Sequence, residues 1–213
     1  MSSFSSVSYF TPHPSVHSPL KRLLDILGSL LGLFLLGLIF LPVAIAIKLD
    51  SPGPIFFRQQ RYGLYGQPFQ LYKFRSMVSN AEALRRGYPT HTTGFLFKDA
   101  GDPRITRVGH WLRRTSLDEF PQFWNVLKGE MSLVGTRPPI GEEVVQYTSY
   151  QWQRLNVKPG LTGEWQVNGR SQVKNFEKIV ALDLRYQNRW TVGYDCRILL
   201  KTLWVVLGQV GAF

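Results

Sequence analysis

The chain has 213 residues, enough for one domain with an appended anchor, and 44% of them are hydrophobic, which supplies a packed core. With 25 Lys and Arg against 14 Asp and Glu, the net charge is +11, so the expected partners are anionic: nucleic acid, membrane headgroups or phosphorylated substrates. The single cysteine, Cys196, excludes an internal disulfide, and the four histidines (His13, His17, His91, His110) are not at metal-ligand spacing.

Residues 1–19 are rich in Ser, Pro and His and carry no Lys, Arg, Asp or Glu, which predicts a flexible tail. Residues 20–50 form an apolar segment, with 22 uncharged residues in a row between Asp25 and Lys48. As a helix these reach about 33 Å, enough to cross the hydrocarbon core of a bilayer. Two features oppose a simple crossing. Pro42 removes a helical hydrogen bond inside the segment. Both flanks are basic, with Lys21 and Arg22 before it and Lys48, Arg58 and Arg61 after it, so both ends favour the cytoplasmic side. A helix that enters, breaks near Pro42 and returns satisfies both. A straight span, a buried core helix and a signal peptide cleaved near Ala44-Ile45-Ala46 are the alternatives. Gly28 and Gly32 form a small-xxx-small pair that permits another helix to approach closely.

From residue 51 onward the pattern is that of a soluble domain. Asp50-Ser51-Pro52-Gly53-Pro54 reads as a turn, and residues 55–57 and 69–72 as short strands joined through a turn at Gly63 to Gly66. A short helix is predicted over 79–87, loop over 88–103, and helical periodicity over 107–114 and 117–128. Residues 140–155 are amphipathic, 159–169 turn-dominated, and 176–189 and 195–206 helical. The last helix carries Arg197 and Lys201 and suits either the core or a membrane surface.

Glycine-rich phosphate loops and the common hydrolase motifs are missing from the sequence. Phosphate chemistry therefore falls to carboxylates, basic side chains and a metal. The densest candidate is Ser116-Leu117-Asp118-Glu119, close to Arg104, Arg107, Arg113 and Arg114. One carboxylate can act as nucleophile while its neighbour holds Mg²⁺, and arginines bind phosphate oxygens. Ser116-x-x-Glu119 is equally a helix capping box, with no chemistry implied. Three further groups admit the same two readings: Arg137 in Thr136-Arg137-Pro138-Pro139, the strand pair Lys73 and Arg75 on one face, and the polar turn Gln166 to Arg170.

Taken in order, the motifs resemble those of the bacterial sugar transferase family, monotopic enzymes that begin glycan assembly on polyprenyl phosphate. The resemblance runs from Lys21 to the C-terminus. It rests on Lys21-Arg22 with Asp25, the Pro42 helix, residues 50–54, Lys73-Phe74-Arg75-Ser76-Met77, residues 113–119, Asn125 to Ser132, Lys158 to Gly163, and Gln166-Val167-Asn168-Gly169-Arg170. It implies an α+β fold: a re-entrant membrane helix broken at a proline, then a small, mostly helical cytoplasmic domain (51–213) with a short β-hairpin and surface amphipathic helices. It further implies Asp118 as nucleophile toward a UDP-sugar, Glu119 as catalytic partner and Mg²⁺ ligand, and polyprenyl phosphate as acceptor, at the bacterial inner membrane. Lys73, Arg75, Arg113, Arg137, Gln166, Asn168, Arg170 and Asp183 are carried over as the substrate-binding set. Membrane lipid is an expected partner, a homodimer is compatible with the family, and nucleic acid is not expected. The likeness is greatest to exopolysaccharide-initiating members, which favours UDP-glucose or UDP-galactose over an N-acetylated amino sugar. A non-catalytic, membrane-tethered basic module is the reading that the charge alone leaves open. Two positions depart from the family pattern: Thr136-Arg137-Pro138 replaces Pro-Arg-Pro, and Leu41-Pro42 replaces Ser-Pro.

Overall fold

Pro19 and Ser18 start the longest element of the chain. Ser18 accepts a hydrogen bond from Lys21 N–H at the helix start, and proline suits the first helical position. The computed structural model describes residues 12–85, 102–169, 173 and 175–208. A one-turn helix, α1 (Pro14–His17), precedes α2 (Pro19–Asp50), which carries Pro42 within it. Proline has no N–H to donate there, so the ladder of α2 is broken at that point. Part of the predicted tail is ordered: His13 bonds Gln187 O at 3.0 Å and packs edge-on against Trp190. Residues 1–11 lie outside the described residues.

Only 22% of the most apolar window of α2 is buried, and Leu31, Phe34, Leu38 and Leu41 stand exposed along it. Its two ends are tied to one and the same domain. At the start, Lys21 Nζ meets Asp195 at 2.6 Å, Arg22 donates to Val126 O (2.8 Å) and Leu127 O (2.6 Å), and Asp25 accepts from Ser132 and Leu133. At the finish, Val43 and Ile47 pack with Phe74 and Leu112. There Asp50 also accepts from Val108 N–H at 2.9 Å. A straight span would carry one end across the bilayer, away from the domain that holds the other. The structure therefore rejects that alternative and agrees with a monotopic anchor. It also revises the reason: Lys21 and Arg22 are engaged by the domain rather than by headgroups.

β1 (Phe56–Tyr62) and β2 (Pro68–Phe74) pair antiparallel as a hairpin, Phe57 opposite Lys73 and Arg61 opposite Phe69. One face stacks Phe56 and Phe74 with Phe40 of α2, ring centroids 5.5–6.3 Å apart. α3 (Ala81–Arg85) is short, and α4 (Arg107–Thr115) begins at Thr106, whose hydroxyl accepts from Gly109 N–H. The predicted helix over 117–128 is two pieces, a 3₁₀ turn (Leu117–Glu119) and α5 (Gln122–Lys128), parted at Phe120-Pro121. Pro121 suits only the first turn of a helix, so α5 starts after it.

β3 (Ser132–Val134) and β4 (Gly160–Thr162) form a two-strand parallel pair that hydrophobic patterning did not reveal, because each strand has three residues. The amphipathic stretch 140–155 resolves into α6 (Gly141–Val144), α7 (Ser149–Trp152) and a 3₁₀ turn (Gln153–Asn156). α8 (Glu164–Val167), α9 (Phe176–Arg189) and α10 (Val192–Leu207) complete the fold. The main core joins Phe69, Leu71, Val126, Met131, Leu133, Val134, Val157, Val167, Tyr186 and Ile198. Gly32 of α2 lies against Phe123 of α5, so a helix does approach at the predicted small-residue pair.

Candidate active site

The acid pair sits on the 3₁₀ turn between α4 and α5. Ser116 adopts a left-handed conformation (φ 59°) as the C-cap of α4 and makes no side-chain cap to the turn that follows. The capping-box reading of Ser116 and Glu119 is thereby corrected: the left-handed residue ends one helix and turns the chain into the acids. Asp118 is buried, at 8% exposure. Glu119 is half-buried and accepts a hydrogen bond from Lys73 Nζ at 2.7 Å. β2 ends one residue beyond Lys73, so the hairpin aims this ammonium at the turn.

Arg113, in the last turn of α4, donates from Nε to Ser76 Oγ at 2.9 Å. Burial lowers its pKa from the ordinary value, while the charges of Asp118, Asp102 and Glu119 pull it back up. Both acids thus act on this cation. Arg107 and Arg114 of the same helix are exposed. Asp102 is bound by its near neighbour Arg104, at 2.9 and 2.7 Å, which holds its carboxyl below the usual range. Arg137 forms a two-oxygen pair with the buried Glu143, at 3.2 and 3.0 Å. Arg61, which sequence reading treated as a flanking charge, also belongs here. Burial and the Arg137 cation lower its pKa, and Glu143 and Glu119 oppose them. Its Nη1 donates to Pro138 O at 3.0 Å. The available signal was its place on β1, on the face that Lys73 shares through the Phe57 pairing.

Other expected ligands serve the scaffold. Arg75 lies just past β2 and leaves the Lys73 face. It donates to Pro52 O (2.6 Å), Ser51 O (2.6 Å) and Ile47 O (3.2 Å), closing the C-terminus of α2. Gly53 makes room for it: φ is +126°, and a Cβ would stand 2.1 Å from Arg75 Nη1. Asp183 is fully buried and bonds Arg154 at 2.7 and 2.8 Å, so direct substrate contact is replaced by an interior ion pair. Asn168 bonds Glu164 O and Lys201, while Gln166 on α8 keeps its side-chain oxygen buried. Arg170 lies outside the described residues.

Among the described residues no three potential metal ligands cluster. Glu119, partly exposed beside Asp118, suits a cation such as Mg²⁺, which takes one or two carboxylates and completes its shell with water and substrate phosphate oxygens.

A buried acid beside a second acid, with Lys73 bonded to Glu119 and the charges of Arg113 and Arg61 acting on that acid, is an arrangement for bringing a phosphate to a carboxylate. Residues 16–209 match the family model described as bacterial sugar transferase. The chain belongs to the bacterial sugar transferase family. It is 48% identical over 198 residues to the galactosyl transferase CpsE of Streptococcus agalactiae, covering 92% of this chain and 44% of that protein. It is 42% identical over 204 residues to the UDP-glucose:undecaprenyl-phosphate glucose-1-phosphate transferase of Escherichia coli, covering 92% and 42%. With the uncharacterized sugar transferase EpsL of Bacillus subtilis it shares 39% over 192 residues, 90% of this chain and 89% of that one. The chain thus spans less than half the length of the first two relatives. With the family established, α2 is a membrane anchor and the domain faces the cytoplasm.

Proposed function

We propose that the chain transfers a hexose 1-phosphate from a UDP-sugar, UDP-glucose or UDP-galactose, to polyprenyl phosphate, releasing UMP. The observation that carries this reading is the seat of the acid pair. Phe123, four residues beyond Glu119, rests on Gly32 of the anchor. Leu117, the residue before Asp118, packs in the cluster that holds Val43 and Ile47 of the anchor, which supports a site where a lipid-borne phosphate and a water-soluble nucleotide can both arrive. Relatives whose names specify glucose-1-phosphate transfer, or galactose, support the choice of hexose.

In this reading the Asp118 carboxylate attacks the β-phosphorus, and the bond to the UMP oxygen breaks. The sugar phosphate is held on Asp118 until the polyprenyl phosphate oxygen attacks the same phosphorus and the carboxylate leaves. Arg113, beside Asp118, balances the charge of the attacking carboxylate and the phosphate. Lys73, Arg61 and Arg137 bind the remaining phosphate oxygens. Mg²⁺ held by Glu119 would supply charge neutralisation of the diphosphate.

The test is UMP release from a panel of UDP-sugars, without and with polyprenyl phosphate. Asp118→Asn should abolish UMP release in both conditions, and full activity in that variant overturns the assignment. UMP release from a UDP-N-acetylated amino sugar, with none from UDP-glucose or UDP-galactose, would retain the chemistry and replace the sugar.

A further inference from the structure

The Lys73–Glu119 contact joins two elements that share no backbone pairing, so something must set their distance. Among the described residues β2 is paired with β1 along one edge only. On its other edge the peptide groups of Gln70 and Tyr72 face α5. Asn125 of α5 is fully buried there. Its amide Nδ2 donates to Gln70 O at 2.6 Å, and its Oδ1 accepts from Tyr72 N–H at 3.2 Å. A side-chain amide has the same donor and acceptor as a peptide group, and here it replaces a neighbouring strand. The other Nδ2 hydrogen goes to Glu130 Oε2 at 2.7 Å, and Glu130 is in turn held by Lys128. Tyr72 is the residue before Lys73, and Asn125 lies six residues beyond Glu119 in the next turn of structure.

We infer that Asn125 is a positioning residue: its amide docks the free edge of β2 onto α5 and so holds Lys73 against Glu119. The inference rests on the proposed function for its catalytic consequence, though not for its geometry. Only an amide of this length serves both Gln70 and Tyr72. Aspartate at 125 keeps the shape but loses both donated bonds and sets a carboxylate against Gln70 O and Glu130.

The experiment is reductive methylation of the full chain in detergent, read lysine by lysine by mass spectrometry. Lys21, whose ammonium is buried against Asp195, is the internal control. In Asn125→Asp, Lys73 should label at least about threefold faster, the fold-change of one lost hydrogen bond, with Lys21 unchanged. With UDP-sugar, kcat for UMP release should fall about tenfold while KM moves less than about twofold. Asn125→Ser, whose hydroxyl is too short to serve both Gln70 and Tyr72, should show the same Lys73 effect and serves if the aspartate variant does not fold. An unchanged Lys73 rate in a folded variant, or Lys73 and Lys21 rising together, overturns the inference. The labelling needs no substrate, so absence of UMP release by the unmodified chain would sink the proposed function without touching this result.

Discussion

Lys21 Nζ lies 2.6 Å from Asp195 Oδ2, joining the first turn of the anchor to the first turn of the last helix. Both side chains are buried, and the same carboxylate accepts from Tyr186 OH at 2.8 Å and Trp190 Nε1 at 3.1 Å. Removing the cation leaves a buried charge without its counter-ion. Lys21→Met should therefore lower stability by about 3–5 kcal/mol. Adding Asp195→Asn should restore part of that loss. Denaturant unfolding of the detergent-solubilised chain measures both, and equal stability of Lys21→Met and the unmodified chain would contradict the role.

Glu119 offers the same carboxylate to Lys73 and, in the proposed function, to Mg²⁺. The two cations should compete. Adding Mg²⁺ without UDP-sugar, whose phosphates would themselves hold Lys73, should raise the labelling of Lys73 about threefold or more, the loss of one charge-assisted bond. In Glu119→Gln the Mg²⁺ response should vanish. A Lys73 rate that ignores Mg²⁺ in the unmodified chain would remove Glu119 from the metal role.

Asp102 supplies a pH dependence. Arg104 holds its folded-state pKa below the ordinary value of 3.8. The unfolded carboxyl then takes up its proton first as pH falls. The stabilisation is present above 3.8 and drains away as the pH falls through the folded-state value. Asp102→Asn should lower the thermal midpoint at neutral pH and flatten its decline below about pH 4. Identical acid limbs in the two proteins would show that this pair is not coupled to folding.

Gly135 and Gly160 hold the parallel pair together by close approach. A Cβ on Gly135 would stand 2.2 Å from Lys158 O, and one on Gly160 would stand 2.1 Å from Gly135 N. Backbone cannot step aside as a flexible side chain does. Gly135→Ala should cost about 3 kcal/mol or more and lower the yield of folded protein, measured by unfolding and by gel filtration in detergent. Gly37→Ala is the control, since nothing lies within 4 Å of its Cβ position.

The sequence by itself determined the elements with strong periodicity or strong chemistry. The long apolar segment with Pro42, the hairpin around Gly63 to Gly66 and the helix over 176–189 each stand where patterning put them, because enough residues repeat one pattern. Asp118 and Glu119 were conspicuous as adjacent acids among arginines, and the ordered motifs placed the chain in its family. Only the tertiary structure decided what pairs at long range. Strands as short as Ser132–Val134 and Gly160–Thr162 carry no period, and their pairing depends on two glycines 25 residues apart in sequence. Arg75 and Lys73 look alike two residues apart, yet one closes the anchor and the other meets Glu119, because the strand ends between them. Both ends of α2 return to one domain through Arg22, Asp25 and Asp50, and the partners those charges find there are a property of the packed chain alone.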